Sequence, residues 1–389
     1  MQLRDAKSTG PPRVALLAIV ILLLAALASL AGCGSSGSRT TRFFVVSDSG
    51  NNRVLFYDSP FSTDESASGV LGQGEFTTAG SAPTAATFNL PVSTAEDDSG
   101  NIYVSDNGNN RVLQFKPPFS NGMSSSLVIG QPDFTTSTPS TATQNGLAGP
   151  GGLAFDDSGH LWVLDFLNCR ILQYKPPFTT DMNASVVIGQ ANFTSRTAAT
   201  TNSGFNGPHL IAFDASGDLW VTDTFNNRAL EFKPPFANGM AASVVIGQAD
   251  FVSGGAATTA NGLNFPTGVA FDSAGNLWIG DTENNRVLQF KPPFANGMSA
   301  SLVLGQTDFT SQTLATTQNG LSGPFGIAFD SSGNLAVADS GNNRTLGFVP
   351  PFSNNQKASL VLGQPDFTTA TAATTATGQN LPGAVSAAF

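Results

Sequence analysis

The stretch GDTENNRVLQF, from Gly280 to Phe290, recurs in related form six times along this chain of 389 residues. The other copies are SDSGNNRVLFY from Ser47, SDNGNNRVLQF from Ser105, LDFLNCRILQY from Leu164, TDTFNNRALEF from Thr222 and ADSGNNRTLGF from Ala338. Successive arginines of these copies are 58 or 59 residues apart. A fixed period of this length is typical of one supersecondary unit repeated in an array.

Residues 266–309 show the content of one unit. Four short runs rich in Val, Ile, Leu, Phe and Trp are separated by clusters of Gly, Pro, Asn, Ser and Asp, which predicts a four-stranded antiparallel meander. The Pro-Pro-Phe step at Pro292 is placed in the turn between the third and fourth strands, because proline cannot donate to a sheet ladder. One such sheet cannot bury both faces, whereas six arranged radially can. The sequence therefore predicts an all-β, six-bladed β-propeller.

The two ends of the repeat region predict how the ring closes. The first copy begins at Arg42 and is already in a second strand, whereas the last residues, NLPGAVSAAF, match the first strand of other copies. The C-terminal strand is therefore predicted to pair into the N-terminal blade, which leaves no free inner edge. Six prolines are expected to begin the inner strands: Pro91, Pro150, Pro208, Pro266, Pro324 and Pro382.

The repeated pattern resembles the NHL repeat. It reads Pro-x-Gly-h-Ala-Phe-Asp, then Ser-x-Gly-Asn-h-Trp-h-x-Asp, then x-x-Asn-Asn-Arg-Val-Leu-x-Phe, where h is hydrophobic. The resemblance extends over all six copies, although each has a longer insert after its Gly-Gln pair than the usual repeat. It implies a propeller but no single activity, because NHL propellers are known as amidating lyase domains, as sensor domains of bacterial membrane kinases and as protein- or RNA-binding domains.

Residues 1–32 resemble a bacterial lipoprotein signal peptide. A basic N-terminal segment precedes a nearly continuous apolar run from Val14 to Leu30, which ends in Leu-Ala-Gly-Cys at Cys33. This pattern implies cleavage before Cys33 and lipidation of that residue. An uncleaved membrane anchor is the alternative, since the run only just reaches spanning length.

This interpretation divides the chain into a signal peptide (1–32), a flexible tether (33–41) and the propeller (42–389). We expect an exported protein that is lipid-anchored at the bacterial cell envelope. Glycine rather than aspartate follows Cys33, which resembles the outer-membrane sorting pattern of diderm bacteria.

Composition argues against several classes of partner. The chain has 17 Lys and Arg against 27 Asp and Glu, a net charge of −10. Most of the basic residues belong to the repeat itself, so no basic patch is available for a phosphate backbone and no nucleic-acid partner is expected. With Cys33 assigned to lipid, Cys169 has no disulfide partner. Cys169 is interpreted as a drifted repeat position rather than a catalytic thiol.

Each copy also carries an aspartate five residues before its arginine. An aspartate can accept backbone N–H bonds across a turn, and an arginine can bind a carboxylate. A ring of carboxylates for calcium is the alternative, but identical use in every copy favours a structural clasp. The aspartates are Asp48, Asp106, Asp165, Asp223, Asp281 and Asp339, and the arginines are Arg53, Arg111, Arg170, Arg228, Arg286 and Arg344.

Ligand-binding residues are expected where the copies differ. In a meander, the turn between the second and third strands and the long insert lie on the same face, which we call the top face. The candidates at the channel mouth on this face are Phe166, Leu167, His209, Phe225, Glu283 and Phe325. They predict a cleft with apolar walls and few polar groups, the usual form of a ligand site. Neutral drift in exposed loops is the alternative, and His160 is interpreted as a substitution on the opposite face.

Two classes of function fit this sequence. The favoured one is a membrane-anchored extracytoplasmic binding or scaffold propeller that recognises a protein, peptide or glycan through its top face. The alternative is a propeller enzyme of the lyase or lactonase type with a metal site at the channel mouth. The amidating lyase uses three histidines for zinc, whereas this chain has two histidines, and no Gly-x-Ser-x-Gly, His-Glu-x-x-His or phosphate loop is present. No catalytic residue, cofactor or metal is therefore predicted, and a monomer is expected.

Overall fold

The computed structural model describes residues 43–59 and 61–388. The predicted signal peptide, the tether and Cys33 lie outside the described residues, as do Arg42 and Phe389. The described part of the chain forms six antiparallel sheets of four strands each. Within it, no helix is long and apolar enough to cross a membrane.

Each sheet is one blade, and its strands follow in chain order. Blade 1 contains β1 (Phe43–Asp48), β2 (Arg53–Asp58) and β3 (Gly69–Leu71). Blade 2 consists of β4 (Pro91–Glu96), β5 (Ile102–Asp106), β6 (Arg111–Phe115) and β7 (Leu127–Ile129), and blade 3 of β8 (Pro150–Phe155), β9 (Leu161–Asp165), β10 (Arg170–Tyr174) and β11 (Val186–Ile188). Blade 4 consists of β12 (Pro208–Phe213), β13 (Leu219–Asp223), β14 (Arg228–Phe232) and β15 (Val244–Ile246). Blade 5 consists of β16 (Pro266–Phe271), β17 (Leu277–Asp281), β18 (Arg286–Phe290) and β19 (Leu302–Leu304), and blade 6 of β20 (Pro324–Phe329), β21 (Leu335–Asp339), β22 (Arg344–Phe348) and β23 (Leu360–Leu362).

The last strand, β24 (Pro382–Ala388), completes blade 1. It pairs antiparallel with β1, with Val385 opposite Val46, and its neighbours in the ring are β20 and β4. The predicted closure by the C-terminal strand is therefore confirmed. The predicted starts are confirmed as well, because all six inner strands begin at the expected prolines.

A short 3-10 turn connects the second and third strands of every blade. The six turns are Ser49–Asn51, Asn107–Asn109, Phe166–Asn168, Thr224–Asn226, Thr282–Asn284 and Ser340–Asn342. The residue after each turn has a positive φ between 49° and 56°, a left-handed conformation that asparagine tolerates better than most residues. This explains the second asparagine of the repeated Asn-Asn-Arg, which only Cys169 replaces.

The hydrophobic core lies between neighbouring blades. Trp162 of blade 3 is fully buried and meets Phe236, from the Pro-Pro-Phe turn of blade 4, edge to face at 4.7 Å between ring centroids. Trp220 and Trp278 repeat this contact with the next blades at 4.9 Å. Burial of such large rings is a major stabilising contribution, and here it joins blade 3 to blade 4, blade 4 to blade 5 and blade 5 to blade 6.

A buried ion pair between aspartate and arginine fixes the top face. In blade 4, Nε of Arg228 lies 2.7 Å from Oδ2 of Asp223, and both side chains are inaccessible to solvent. The other five blades contain the same buried pair at 2.6–2.7 Å. The remaining guanidinium N–H groups of Arg228 donate to the carbonyl oxygens of Thr201 and Gly204, in the insert before the blade, and of Phe251, in the insert after it.

Both carboxylate oxygens of Asp223 are engaged. Oδ1 accepts the backbone N–H of Asn206 at 2.7 Å, and Oδ2 accepts Nδ2 of Asn226 at 2.8 Å in addition to Arg228. Burial raises the pKa of Asp223, and the Arg228 charge and these N–H donors act against the rise. The carboxylate therefore functions as an internal acceptor, and its geometry does not suit a calcium ring at the channel.

Removal of one clasp arginine is expected to destabilise the fold. Arg228→Ala leaves the Asp223 carboxylate buried without its partner, which typically costs about 3–5 kcal/mol. Arg196→Ala is the matched control, because Arg196 is exposed in an insert and surface substitutions usually change stability by less than about 0.5 kcal/mol. Urea unfolding of the purified protein measures both, and equal losses in the two variants would contradict the assignment.

Candidate functional site

A cavity of ≈ 430 Å³ opens at the mouth of the central channel. Its walls come from the inner strands and 3-10 turns of five blades, so it lies on the axis of the propeller. The lining residues are Ser49, Leu90, Val92, Asn107, Gly149, Gly151, Phe166, Leu167, His209, Phe325, Ser340, Leu381, Pro382 and Gly383. Most of these side chains are apolar, and none is a carboxylate.

An aromatic cluster reaches one wall of the cavity through Phe166, His209 and Phe325. It consists of Phe166, His209, Phe225, Phe265 and Phe325. The His209 ring is central, with centroid distances of 4.8 Å to Phe166 and 5.7 Å to both Phe265 and Phe325. The rings of Phe166 and Phe325 meet His209 edge to face, an arrangement favoured by the aromatic quadrupole.

The structure brings together five of the six candidate residues. Phe166, Leu167, His209 and Phe325 line the cavity, and Phe225 belongs to the aromatic cluster beside it. Glu283 is exposed on the turn of blade 5 and does not line the cavity.

Three further residues at this site were not identified from the sequence. Leu90, Phe265 and Leu381 stand immediately before an inner-strand proline and have φ values of 51°, 56° and 47°. The other three blades have glycine at this position, with φ values of 56–61°. The available signal was a large apolar residue where other copies read Gly-Pro. Side chains in this left-handed region are strained.

These residues form part of what we call the apolar rim. It consists of one large side chain from each of blades 1 to 5, namely Leu381, Leu90, Leu167, Phe225 and Phe265. The first, second and fifth blades use the residue before the proline, and the other two use the second turn residue. The two positions exclude each other in blade 4, because a Cβ atom at Gly207 would lie 2.5 Å from the Phe225 ring.

The rim is open at blade 6. Both equivalent positions in this blade are glycine, Gly323 and Gly341. A Cβ atom at Gly323 would meet nothing closer than 3.9 Å. Among the described residues, blade 6 therefore contributes no side chain at either rim position, and the space beside Gly323 is free.

Phe166 breaks a hydrogen-bond pattern of the scaffold. The first turn residue of each other blade donates from its side chain to the proline carbonyl oxygen that begins the next inner strand, for example Thr224 to Pro266 at 2.6 Å. Phe166 has no donor for Pro208. Since a hydrogen bond contributes about 0.5–1.5 kcal/mol, the scaffold alone does not favour phenylalanine here.

His209 is held through one ring nitrogen. Its Nδ1 lies 3.0 Å from Oγ1 of Thr224 and 3.2 Å from the carbonyl oxygen of Gly207. Burial among the aromatic rings lowers the pKa of His209 to about 4, although the Gly207 carbonyl acts in the opposite direction. The imidazole is therefore neutral near pH 7.

A model of the NHL repeat matches residues 88–115, 147–174 and 263–290. The chain contains NHL repeats. No curated protein matches the sequence.

Several solved structures are similar to this NHL propeller. Virginiamycin B lyase from Staphylococcus aureus, with quinupristin, is 13% identical over 82% of this chain and 84% of its own, with a TM-score of 0.43. A chain of a nidogen/laminin complex is 15% identical over 89% and 98%, with a TM-score of 0.49. A gluconolactonase from Xanthomonas campestris is 14% identical over 74% and 77%, with a TM-score of 0.45. These sequence identities and TM-scores are too low to assign the activity of any of these proteins to the present chain.

Two other singled-out residues lie in scaffold positions of the NHL propeller. Cys169 takes the left-handed position after the turn of blade 3, where its thiol meets the backbone N–H of Gly207, and burial raises the pKa of the thiol. His160 lies in the hairpin between β8 and β9, with Nδ1 2.9 Å from Oδ2 of Asp156.

A cluster of acidic residues lies on blade 4, away from the cavity lining. Asp214, Asp218 and Glu231 each place a carboxylate oxygen within 4.8 Å of the others. Nζ of Lys233 is 3.4 Å from both Asp218 and Glu231, so a side-chain cation already compensates this negative charge.

Acid is expected to destabilise the protein through His209. The unfolded imidazole titrates near pH 6.5 and the folded one near pH 4, so between these values the unfolded state binds more protons and the free energy of unfolding rises with pH. The full difference is about 3 kcal/mol. Urea unfolding at pH 7 and pH 4.5 should show a larger acid-induced loss for the wild type than for His209→Phe.

The matched control is His160→Asn, which keeps His209 and should therefore retain its acid-induced loss of stability. The same loss of stability in the wild type and in His209→Phe would contradict this account of the buried imidazole.

Proposed function

We propose that this protein is a membrane-anchored extracytoplasmic binding propeller, which takes an aromatic or aliphatic group of its ligand into the channel-mouth cavity. The observation that carries the proposal is the apolar rim around a cavity of ≈ 430 Å³. This volume lies within the usual range of ligand sites, which are mostly apolar with a few placed polar groups.

The apolar rim destabilises the protein when no ligand covers it. Leu90 and Leu381 are 48% and 54% exposed, so burial in the fold compensates little of their exposure to water. Both adopt a left-handed backbone conformation, φ 51° and 47°, where glycine would be unstrained. Strained backbone and exposed apolar groups at one place are typical of binding sites. A ligand that covers the rim would supply the missing burial.

The chemistry of the lining narrows the class of ligand. A glycan requires many hydroxyl partners, whereas the cavity wall is mostly aliphatic and aromatic. The enzyme alternative is not favoured, because the lining offers one neutral imidazole and no carboxylate to hold a metal or to act as a general base. A ring or branched aliphatic group, either of a small molecule or of a peptide side chain, is the better fit.

The anchor is proposed from the sequence alone. Removal of residues 1–32 takes away three basic residues and one acidic residue, and it leaves 14 basic and 26 acidic residues, a net charge of −12. A lipid on Cys33, followed by a short tether, would hold this acidic propeller near the membrane surface.

The rim is expected to contribute to binding at little cost in stability. Leu90→Gly and Leu381→Gly should each weaken binding of indole, a free ring, and of N-acetyl-tryptophanamide, the same ring on a peptide backbone. Their stability should stay the same or rise by up to about 1 kcal/mol, because glycine relieves the strained φ. Calorimetric titration and urea unfolding measure the two effects.

Leu314→Gly is the matched control, since Leu314 is 67% exposed in an insert away from the cavity and its loss should leave both affinities unchanged. Gly323→Leu distinguishes a free ring from a ring that is attached to a peptide backbone. It fills the open side of the rim and should weaken binding of the peptide-like ligand more than that of indole, because only the former must extend out of the cavity. Failure of both ligands to bind the wild type would overturn the proposal.

The anchor is expected to depend on one cysteine. Cys33→Ser should abolish fatty-acid labelling and prevent normal processing of the protein in a bacterial host. Cys169→Ser is the control, because Cys169 is buried in the propeller and should not carry lipid. Unchanged fatty-acid labelling of Cys33→Ser would contradict the proposed lipid site.

A further inference from the structure

We propose that the ring bound in the cavity carries an N–H or O–H group, which donates a hydrogen bond to Nε2 of His209. This inference rests on the proposed function, since it names the chemistry of the group that the same cavity binds. It makes His209 a specificity-determining residue rather than one more apolar ring of the wall.

The hydrogen bonds around His209 place the imidazole proton on Nδ1. Oγ1 of Thr224 has a single hydrogen, which it donates to the carbonyl oxygen of Pro266 at 2.6 Å. The 3.0 Å contact between this oxygen and Nδ1 of His209 therefore requires Nδ1 to be the donor. The second contact of Nδ1, with the carbonyl oxygen of Gly207 at 3.2 Å, requires the same, because a carbonyl oxygen only accepts.

The other ring nitrogen of His209, Nε2, is a hydrogen-bond acceptor. A neutral imidazole has one N–H and one lone pair, and the ring is neutral near pH 7 because burial holds its pKa at about 4. With the proton on Nδ1, the lone pair is on Nε2. His209 consequently presents Nε2 as an acceptor. An anionic ligand group, or one that only accepts hydrogen bonds, would be unfavourable beside this lone pair.

Nε2 of His209 is accessible from the cavity. Within residues 43–59 and 61–388, the buried side-chain polar atoms without a partner are Ser47 Oγ, Ser125 Oγ and Tyr174 OH. In this part of the chain the contacts of the His209 ring to polar groups all involve Nδ1, so Nε2 has no hydrogen-bond partner. Since Nε2 is nevertheless not among the buried atoms without a partner, it is exposed. Because His209 lines the cavity, a group in the cavity can reach Nε2.

Three other side chains in the cavity lining carry hydroxyl or amide groups that could compete with His209 for a ligand donor. The hydroxyl groups of Ser49 and Ser340 donate to the carbonyl oxygens of Pro91 and Pro382. The oxygens of these hydroxyl groups can still accept. Asn107 donates to the carbonyl oxygen of Pro150 at 3.1 Å, and its amide oxygen is a further acceptor in the lining. The aromatic cluster contains His209 and none of these three residues, so for a bound ring that packs on the cluster the acceptor within the cluster is Nε2.

The test compares indole with benzofuran, in which an oxygen atom replaces the N–H group and the shape is retained. The purified full-length protein should bind indole about three- to ten-fold more tightly than benzofuran, the effect of one hydrogen bond. His209→Phe should bind the two compounds with equal affinity. Asn107→Ser, which keeps the inter-blade hydrogen bond that serine makes in blades 1 and 6, should keep the preference for indole.

The ¹⁵N chemical shifts of the labelled imidazole provide a second measurement that does not depend on the variant. They should show a protonated Nδ1 and an unprotonated Nε2 in the free protein, and a change at Nε2 when indole binds.

Each of the other possible results would overturn a specific part of the proposal. Equal affinity of the wild type for the two compounds would overturn the donor requirement and leave the binding cavity standing. A preference that persists in His209→Phe, or is lost in Asn107→Ser, would overturn the assignment to His209. A protonated Nε2 would do the same. Absence of binding by both compounds would overturn the proposed function together with this inference.

Discussion

The buried pair of aspartate and arginine is the constraint on which the top face of this propeller depends. In each blade the carboxylate accepts a backbone N–H from the incoming insert, as Asp223 does from Asn206, while the guanidinium of Arg228 donates to carbonyl oxygens of the incoming and outgoing inserts. A charge buried without its partner is strongly unfavourable, so the turn, both inserts and the start of the inner strand are fixed together. The ring around the channel mouth follows from six such units.

The arginine of each pair binds backbone carbonyl oxygens of the inserts and not their side chains. The amino-acid sequence at the channel mouth can therefore vary between blades. The inserts are held through carbonyl oxygens, as at Thr201 and Gly204, so their sequences are unconstrained by the arginine. The first two residues of each turn and the residue before each inner-strand proline provide no side chain to the pair. These three positions can therefore differ from blade to blade, and residues at them form the apolar rim and part of the cavity wall.

The sequence was sufficient for the ring and only partly for the site. The period, the hairpin signals and the shared first blade are local patterns repeated six times, so the fold and its closure could be predicted. Phe166 and His209 could be found because they depart from the repeat. Leu90 and Leu381 also depart from the Gly-Pro of other copies, but an apolar residue before a strand is usually a core residue and the positive φ is not visible in the sequence, so this signal did not identify them as site residues. Glu283, a predicted ligand-binding residue, is exposed on its turn and does not line the cavity.

Two departures from the repeat meet at the junction of blades 3 and 4. In five blades an asparagine side chain accepts the backbone N–H of the residue before the next inner strand, as Asn227 does from Phe265 at 2.8 Å. At the junction of blades 3 and 4, Cys169 provides a thiol instead, and Phe166 removes the second inter-blade bond. Both fall beside His209, where the aromatic contacts replace polar ones, so the weakest polar junction of the scaffold is also the wall of its cavity.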